Sequence, residues 1–321
     1  MKRIAAYILT ALCFSSCMKS SVSDSFVPYP DSDTAWIRSV SGRIANAADS
    51  LFGVANPEVV TINASKSDSA YFSGGTRIYT NPGFCQYSNG SNAEGEVKVS
   101  FLQLKKRGDF IRYGKPAMSG SKLLNQIAAL RVIITKEGNI LNISQRSEFN
   151  IRFEGVAPDE QQSIFSGDTT RYNRANFLWD VTADYASPFE ELLNQQVRKS
   201  YSFLCRKTGW IGLGREIGSS NTTKLTAVAP VIFTNANTAV FAIFLNHSTV
   251  VRLTPDAGSR TFYATGIPAG TPLQLLSISR ISNNKLYVGL DATIVEKNGA
   301  IVKLKPEETS LNELNNLLDR L

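Results

Sequence analysis

The sequence predicts a mainly β protein, with two β-sandwich-like domains, a short connector helix between them and a helix at the C-terminus. Short runs of β-branched and aromatic residues recur along the chain, and turn residues such as Gly74-Gly75 and Asn89-Gly90 separate them. In one run Val97, Val99 and Phe101 alternate with polar residues, which is typical of a half-buried strand. A hydrophobic content of 43% and a charged content of 19% indicate a globular chain. Many short strands separated by turns favour antiparallel sandwiches.

Residues 1–17 carry the pattern of an export signal. Lys2-Arg3 precedes the apolar run Ala5–Phe14, which is too short to cross a bilayer, since a spanning helix needs about 20 residues. Ser15-Ser16-Cys17 follows and resembles the lipobox of bacterial lipoproteins, in which the cysteine carries the lipid. The resemblance implies lipidation of Cys17 and a place in the cell envelope, with the periplasmic face of the outer membrane favoured over the cell surface. An ordinary secretory signal cut near Ser16 is the alternative.

Residues 18–56 are predicted to connect this anchor to the folded body. The first part, residues 18–35, is rich in Ser, Asp and Pro and predicts a flexible tether. The second part predicts one short amphipathic helix from apolar residues at helical spacing, namely Trp36, Val40, Ile44, Ala47 and Leu51.

Residues 57–155 are predicted to form the first β domain, with a hairpin around Lys136-Glu137-Gly138. The stretch from Gly75 to Phe84 and the strand Gly95-Glu96-Val97-Lys98-Val99 resemble a ZU5-type β domain. The continuation from Gly108 to Leu124 is similar to versions found in predicted lipoproteins of the Bacteroidetes, although Asn125-Gln126 stands where those have Gly-Gly. ZU5 domains of better-known proteins act in protein–protein contacts, so the resemblance implies interaction and contributes no catalytic residue.

Residues 156–200 are predicted to be a connector that contains a helix. Ser187-Pro188-Phe189-Glu190 has the form of a capping box with proline at the first helical position. The helix that would follow has an apolar stripe made of Phe189, Leu192, Leu193 and Val197.

Residues 201–321 are predicted to form the second β domain. Gly209-Trp210-Ile211, after Tyr201-Ser202-Phe203, resembles a Gly-Trp-Ile-Asn-Cys-Asp-Arg signature of the same predicted lipoproteins. Gly212-Leu213-Gly214 replaces the Asn, Cys and Asp of that signature, so any chemistry of those residues is predicted to be lost. Trp210 is predicted to fill the interface between the two halves, and an exposed platform for a ligand is the rival role.

Further strands and a final helix are predicted in the same domain. Residues 227–245 are apolar but are interrupted by Pro230, Asn235 and Asn237, which favours two buried strands over a membrane span. Residues 287–304 predict a hairpin with an Asn298-Gly299 turn. Ser310, with Glu313 three residues later, predicts the start of the C-terminal helix.

The net charge, the cysteines and the single histidine argue against a nucleic-acid partner, a metal site and a cofactor. The formal charge falls from +7 to +5 when Lys2-Arg3 leaves with the signal, and the densest basic cluster, Lys105-Lys106-Arg107, is predicted to be solvated loop charge, so no nucleic-acid partner is expected. Cys85 and Cys205 lie one in each half, which favours two separate buried thiols, with a disulfide left open. His247 is the only histidine and no CxxC occurs, so neither a metal site nor a cofactor is predicted.

The function predicted first is that of a non-catalytic envelope lipoprotein, a scaffold or accessory subunit held at a membrane by Cys17 and bound to an envelope protein. No catalytic constellation is found, because His247-Ser248 is predicted to lie in a polar turn between strands. The alternative is a cell-surface protein that binds carbohydrate or another small ligand. Its motivation is a set of aromatic residues with polar tips on predicted loops. The candidate ligand or interface aromatics are Trp210, Trp179, Tyr87 and Tyr113, with Tyr71, Phe72, Tyr79 and Tyr172 as further members of the set.

Overall fold

The computed structural model describes residues 35–38, 46–52, 56–154, 158, 160–167, 177–193, 195–282 and 285–321. Trp36–Leu321 is one compact unit, and of the residues that precede it only Ala35 is described. The predicted signal, Cys17, the tether and Tyr172 therefore lie outside the described residues. So does most of the helix predicted from Trp36 to Leu51, although Ala47–Leu51 forms a short 3₁₀ turn.

The described chain is mainly β, as predicted, with two α-helices, α1 (Arg107–Arg112) and α2 (Leu311–Arg320). A second 3₁₀ turn covers Ser73–Gly75. In chain order the strands are β1 (Glu58–Asn63), β2 (Asp68–Tyr71), β3 (Arg77–Thr80), β4 (Cys85–Gln86), β5 (Glu96–Leu104), β6 (Met118–Ser119), β7 (Lys122–Lys136), β8 (Asn139–Ile143), β9 (Phe149–Glu154), β10 (Gln162–Gly167), β11 (Trp179–Leu193), β12 (Gln196–Cys205), β13 (Gly209–Glu216), β14 (Thr222–Val228), β15 (Thr238–Phe244), β16 (Val250–Arg252), β17 (Thr254–Asp256), β18 (Thr261–Pro268), β19 (Pro272–Ser282), β20 (Lys285–Ile294), β21 (Ala300–Lys303) and β22 (Glu307–Thr309).

A large antiparallel sheet contains the strands from β1 to β13. Its main order is β1-β5-β7-β13-β10-β11-β12-β9-β3-β2, and β4, β6 and β8 attach beside it. The first and last strands of this order lie side by side, so the sheet nearly closes on itself. Alternation in β9 turns Phe149, Ile151 and Phe153 into the enclosed core, where they are almost fully buried.

Two smaller sheets follow in the chain and pack on each other. One has the order β17-β18-β14-β21 and the other the order β16-β15-β19-β20-β22. Leu225 and Phe262 of the first sheet share a buried apolar cluster with Val240 and Leu275 of the second. β15 is buried along its whole length, which explains why its sequence is continuously apolar.

The C-terminal helix α2 begins as predicted. Ser310 Oγ accepts a hydrogen bond from the Glu313 backbone N–H at 3.2 Å, and Glu313 Oε2 accepts one from the Ser310 N–H at 2.8 Å. The Ser310 N–H, the Ser310 hydroxyl and the Thr309 hydroxyl all donate to the Glu313 carboxylate and lower its pKa, because they favour its charged form. Leu314 and Leu318 are buried against α1 and the sheet that contains β15.

Removing this cap by Ser310→Ala is expected to lower the free energy of unfolding by about 1 kcal/mol, since one N-terminal N–H of α2 loses its acceptor. Urea denaturation of the variant and the unsubstituted chain measures the difference. Ser310→Asp restores an acceptor and is expected to recover most of the loss. An unchanged midpoint for Ser310→Ala would mean that α2 gains nothing from its cap.

The predicted connector helix is wrong. Residues 187–193 instead belong to β11 and pair with β12 through a turn in which Gln195 has a φ of 63°. Leu192 and Val197, expected on the buried stripe, face each other across the two strands and are 73% and 61% exposed. Two interactions outweigh the helix-capping pattern at Ser187-Pro188. The end of β11 pairs continuously with β12, and Glu191, which points away from the face of Leu192, forms ion pairs with Arg77 and Arg152.

The predicted hairpin over residues 287–304 is also wrong. β20 pairs with β19 and β22, whereas β21 crosses to the other small sheet and runs parallel to β14. The turn at Asn298-Gly299 exists, with a φ of 96° at Gly299, but it carries the chain between two sheets. An Asn-Gly turn therefore marked a reversal correctly without showing which strand the chain would meet next.

Candidate functional site

Five neighbouring strands of the large sheet, β2, β3, β9, β12 and β11, expose one outer face. Ile78, Ile151 and Phe203 point into the core, so the residues that alternate with them point outward. The register places Arg77 beside Arg152 and Arg152 beside Ser202. We call this surface the arginine–aromatic face, and it consists of Tyr71, Arg77, Tyr79, Arg152, Glu154, Tyr185, Phe189, Glu191 and Arg198.

Two glutamates hold the arginines of this face together. Glu191 accepts a hydrogen bond at 2.8 Å from Arg77 Nη1 and another at 2.8 Å from Arg152 Nη1. Glu154 lies 3.6 Å from Arg77 Nη2 and 3.2 Å from Arg198 Nη1. The side chains of Arg77, Glu154 and Glu191 are only 11%, 13% and 18% exposed. Such shielded, hydrogen-bonded pairs fix their side chains more firmly than exposed pairs do.

Aromatic rings lie over the same guanidinium groups. Arg152 Cζ is 4.7 Å from the ring centroid of Tyr79 and 4.3 Å from that of Phe189. Arg77 Cζ is 5.6 Å from the ring centroid of Tyr71. A hydrogen bond with Tyr79 raises the pKa of Arg77, and Glu191 and Glu154 add to this against the opposing effect of burial. The face thus presents charged, immobilised guanidinium planes between rings.

Two clefts adjoin this face and share Asp184, Leu204 and Arg206. Arg206 Nη1 donates to Asp184 Oδ1 at 2.9 Å, and Arg206 Nη2 lies 3.2 Å from Glu148 Oε2. One cleft measures about 260 Å³ and the other about 200 Å³. Asn150, Tyr185 and Ser202 line the first, and Thr182, Lys207 and Trp210 line the second.

The two candidate tryptophans have different environments. Trp210 is half-buried at the second cleft, where Lys115 Nζ lies 4.6 Å from its ring centroid. Trp179 is fully buried, and its Nε1 donates to the Pro116 carbonyl at 3.1 Å. Its ring packs edge-on against Phe177. Burial removes Trp179 from the rings that a ligand can reach.

The candidate tyrosines do not converge with Trp210. Tyr87 is half-buried against the core of the large sheet, and Tyr113 against the cluster around Trp179. Phe72 is buried. Tyr71 and Tyr79, by contrast, lie on the arginine–aromatic face. These two rings were among the aromatic residues proposed from the sequence as ligand contacts. Their partners Arg77 and Arg152 could not be predicted, because only the strand register brings the four residues together.

The two cysteines of the described body are separate buried thiols, as favoured from the sequence. Burial raises the pKa of Cys85 to about 11, although Lys136 opposes the shift. Burial and the nearby Asp184 raise the pKa of Cys205 as well. Both groups are therefore neutral near pH 7 and are poor nucleophiles.

The polar turn predicted at His247 is confirmed, because residues 245–248 join β15 to β16. The His247 backbone carbonyl accepts two hydrogen bonds from Arg107, one from Nε at 3.2 Å and one from Nη2 at 3.1 Å. Lys105, expected in solvent, donates instead to the Glu154 carbonyl at 2.7 Å, and burial lowers the pKa of its amine. The basic cluster Lys105-Lys106-Arg107 thus has structural contacts.

Among the described residues, no three His, Cys, Asp or Glu side chains form a group that could hold a metal ion. No helix in the described part of the chain is both long enough and apolar enough to cross a membrane. The chain matches no protein-family model, no curated protein and no solved structure.

Proposed function

We propose that this chain is a non-catalytic lipoprotein of the cell envelope, anchored through Cys17, that holds a partner protein on its arginine–aromatic face. The observation that carries the proposal is the composition of that face. Tyrosine and arginine are enriched at the energetic centres of protein interfaces. Tyr71, beside Arg77, is 59% exposed, and Tyr185, at the first cleft, is 55% exposed, so each offers a large rigid contact area on this face.

The charge arrangement supports a protein partner. Three arginines of the face stand against two glutamates, with Glu191 shared between Arg77 and Arg152. A nearly balanced surface lacks the basic excess that a nucleic acid requires. Side chains already fixed by ion pairs and rings lose less conformational entropy when a partner binds.

The test is a pull-down of the full chain, tagged at its C-terminus, from envelope membranes dissolved in mild detergent. We expect a stoichiometric envelope protein to be retained and to fall at least about tenfold, or about 1.4 kcal/mol, with the double variant Tyr71→Ser/Tyr185→Ser. The matched control is Ile140→Ser/Ile301→Ser, which replaces residues that are 64% and 77% exposed on β8 and β21.

Circular dichroism of each variant checks that the fold is intact, since exposed substitutions usually change stability by less than about 0.5 kcal/mol. If the tyrosine variant and the control retained the partner equally, the arginine–aromatic face would not be the binding surface. Recovery of the chain alone after cross-linking would contradict the accessory role itself.

A second candidate function is the binding of a carbohydrate or another small polar ligand in the cleft beside Trp210. Thr182, Lys207 and the Asp184–Arg206 pair supply donors and acceptors next to an indole ring there. A mostly apolar wall with a few polar groups is typical of small-ligand sites. A glycan array with the unsubstituted chain and Trp210→Ala tests this candidate, and binding that survives the substitution would contradict it.

We also propose the finer division into two β-sandwich-like domains, with the bounds predicted as 57–155 and 201–321 replaced by one boundary at residues 217–221, because β10 to β13 all belong to the large sheet. The separate apolar cluster enclosed by the two smaller sheets supports a distinct C-terminal domain. The boundary at residues 217–221 leaves both sets of strands whole.

A further inference from the structure

An exposed turn between β14 and β15 presents two branched aliphatic side chains. Pro230–Phe233 forms the turn, closed by a 2.9 Å hydrogen bond from the Phe233 N–H to the Pro230 carbonyl. Val231 and Ile232 are 68% and 58% exposed at its tip, whereas Phe233 is buried. Two adjacent aliphatic residues at the tip of a turn are unfavourable in water unless another apolar surface covers them.

Two more exposed isoleucines are tied to the residues that follow this turn. The backbone N–H and carbonyl of Ile37 bond with the Asn235 side chain at 3.0 Å and 2.9 Å. The backbone N–H of Arg280, which precedes Ile281, donates to the Asn237 carbonyl at 2.9 Å. Ile37 and Ile281 are 42% and 40% exposed. We call Ile37, Val231, Ile232 and Ile281 the aliphatic patch.

The turn beneath the patch is held rigidly. Asn237 Nδ2 donates to the Ile232 carbonyl at 2.9 Å, and Asn237 Oδ1 accepts from the Thr234 N–H at 2.8 Å. The Phe233 ring packs edge-on against Tyr287 with centroids 5.3 Å apart. Apolar side chains held in place in this way lose little backbone freedom when a surface covers them.

We propose that the aliphatic patch dips into the surface of the membrane that carries the Cys17 lipid. This inference rests on the proposed lipid anchor. The Trp36 ring is buried in the core of the body, so the chain coming from the anchor enters the body beside Ile37. Eighteen residues separate Cys17 from Trp36, and a flexible chain of that length spans roughly 20–25 Å on average, so a lipid on Cys17 limits how far Ile37 can lie from the bilayer.

The residues flanking the patch suit phospholipid headgroups. Arg38 follows Ile37 in the chain, and Arg280, which also donates to the Ser50 hydroxyl, precedes Ile281. In amphipathic helices at a membrane surface, apolar side chains beside basic residues lie about 5–10 Å deep at the boundary between headgroups and acyl chains. The aliphatic patch offers the same side-chain types on a turn and a strand end. Contact of the aliphatic patch with the membrane, in addition to the lipid on Cys17, also fixes the orientation of the body. A single lipid on a tether does not fix it.

The experiment places an environment-sensitive nitrobenzoxadiazole fluorophore on Ile232→Cys in the full chain, reconstituted in vesicles of phosphatidylethanolamine and phosphatidylglycerol. Cys85 and Cys205 are buried, and the unsubstituted chain labelled in parallel gives the background from other thiols. Val231→Cys is a second site, and Ile301→Cys, where the side chain is 77% exposed on β21, is the matched control.

We expect blue-shifted emission and strong quenching by brominated lipid at positions 231 and 232, with neither at position 301. No quenching at 231 and 232, or equal quenching at all three positions, would overturn the patch. Mass spectrometry of the mature N-terminus tests the anchor separately. Lipid on Cys17 without quenching at 232 contradicts the patch alone, while quenching with an unmodified Cys17 supports the patch and contradicts the proposed anchor.

Discussion

Replacing Trp179 by alanine is expected to destabilise the protein by about 3–5 kcal/mol, a large part of a typical total stability. The indole is fully buried and its Nε1 donates to the Pro116 carbonyl at 3.1 Å. Gly167 and Gly212 lie directly against it, since a Cβ added at Gly212 would stand 3.0 Å from its ring. Backbone this close cannot easily collapse into the cavity, so the loss belongs near the upper end of that range.

Urea denaturation measures this loss, and two further variants separate its causes. Trp179→Phe keeps a ring but removes the indole donor to the Pro116 carbonyl, which still accepts from the Met118 N–H at 3.0 Å, so about 0.5–1.5 kcal/mol of the loss should remain. Trp210→Ala, at a half-buried ring two strands away in the same sheet, should be milder. Equal losses at Trp179 and Trp210 would show that the two rings contribute equally to stability.

Gly108→Ala is expected to destabilise the protein by about 3 kcal/mol, although alanine normally favours a helix over glycine. Gly108 lies in α1, and a Cβ there would stand 1.9 Å from the Leu318 carbonyl oxygen and 2.6 Å from its carbon. These atoms belong to the backbone of α2, so no side-chain rotation can relieve the clash. The helix α2 has to move away, which exposes Leu314 and Leu318.

Thermal denaturation and hydrogen exchange of the α2 amides measure this effect. Gly218→Ala is the matched control, because a Cβ at Gly218 meets nothing within 4 Å. We expect the control to be neutral or slightly stabilising. If Gly108→Ala and the control had the same melting temperature, the space between Gly108 and the Leu318 carbonyl would have to be large enough for a methyl group, which contradicts the 1.9 Å distance to the added Cβ.

The elements predicted correctly from the sequence are those whose signals are local. Ser310 and Glu313 lie within one helical turn, so their reciprocal bonds could be read from spacing alone. The alternation of Val97, Val99 and Phe101 likewise reports burial on one face of β5. Lys136-Glu137-Gly138 joins β7 to β8 as a true hairpin.

The failures have the opposite cause, because they depend on partners distant in the chain. Ser187-Pro188 looked like a helix start, but β12 supplied a complete ladder for the same backbone. The arginine–aromatic face could not be predicted from the sequence. Arg77 and Arg152 are separated by 75 positions in the chain and are neighbours only through the register of β3 and β9. The aromatic residues alone gave no indication of which rings would be buried.

The position of Trp36 determines when the folded body can be completed. Its ring lies 5.2 Å from Phe262 and is buried among residues as late in the chain as Val295 and Leu304. A chain synthesised from its N-terminus contains Trp36 early, yet the cluster that receives the ring is complete only with Leu304, 268 positions later. This indole therefore has no complete pocket until β21 has been synthesised, and its burial reports that the two smaller sheets have come together.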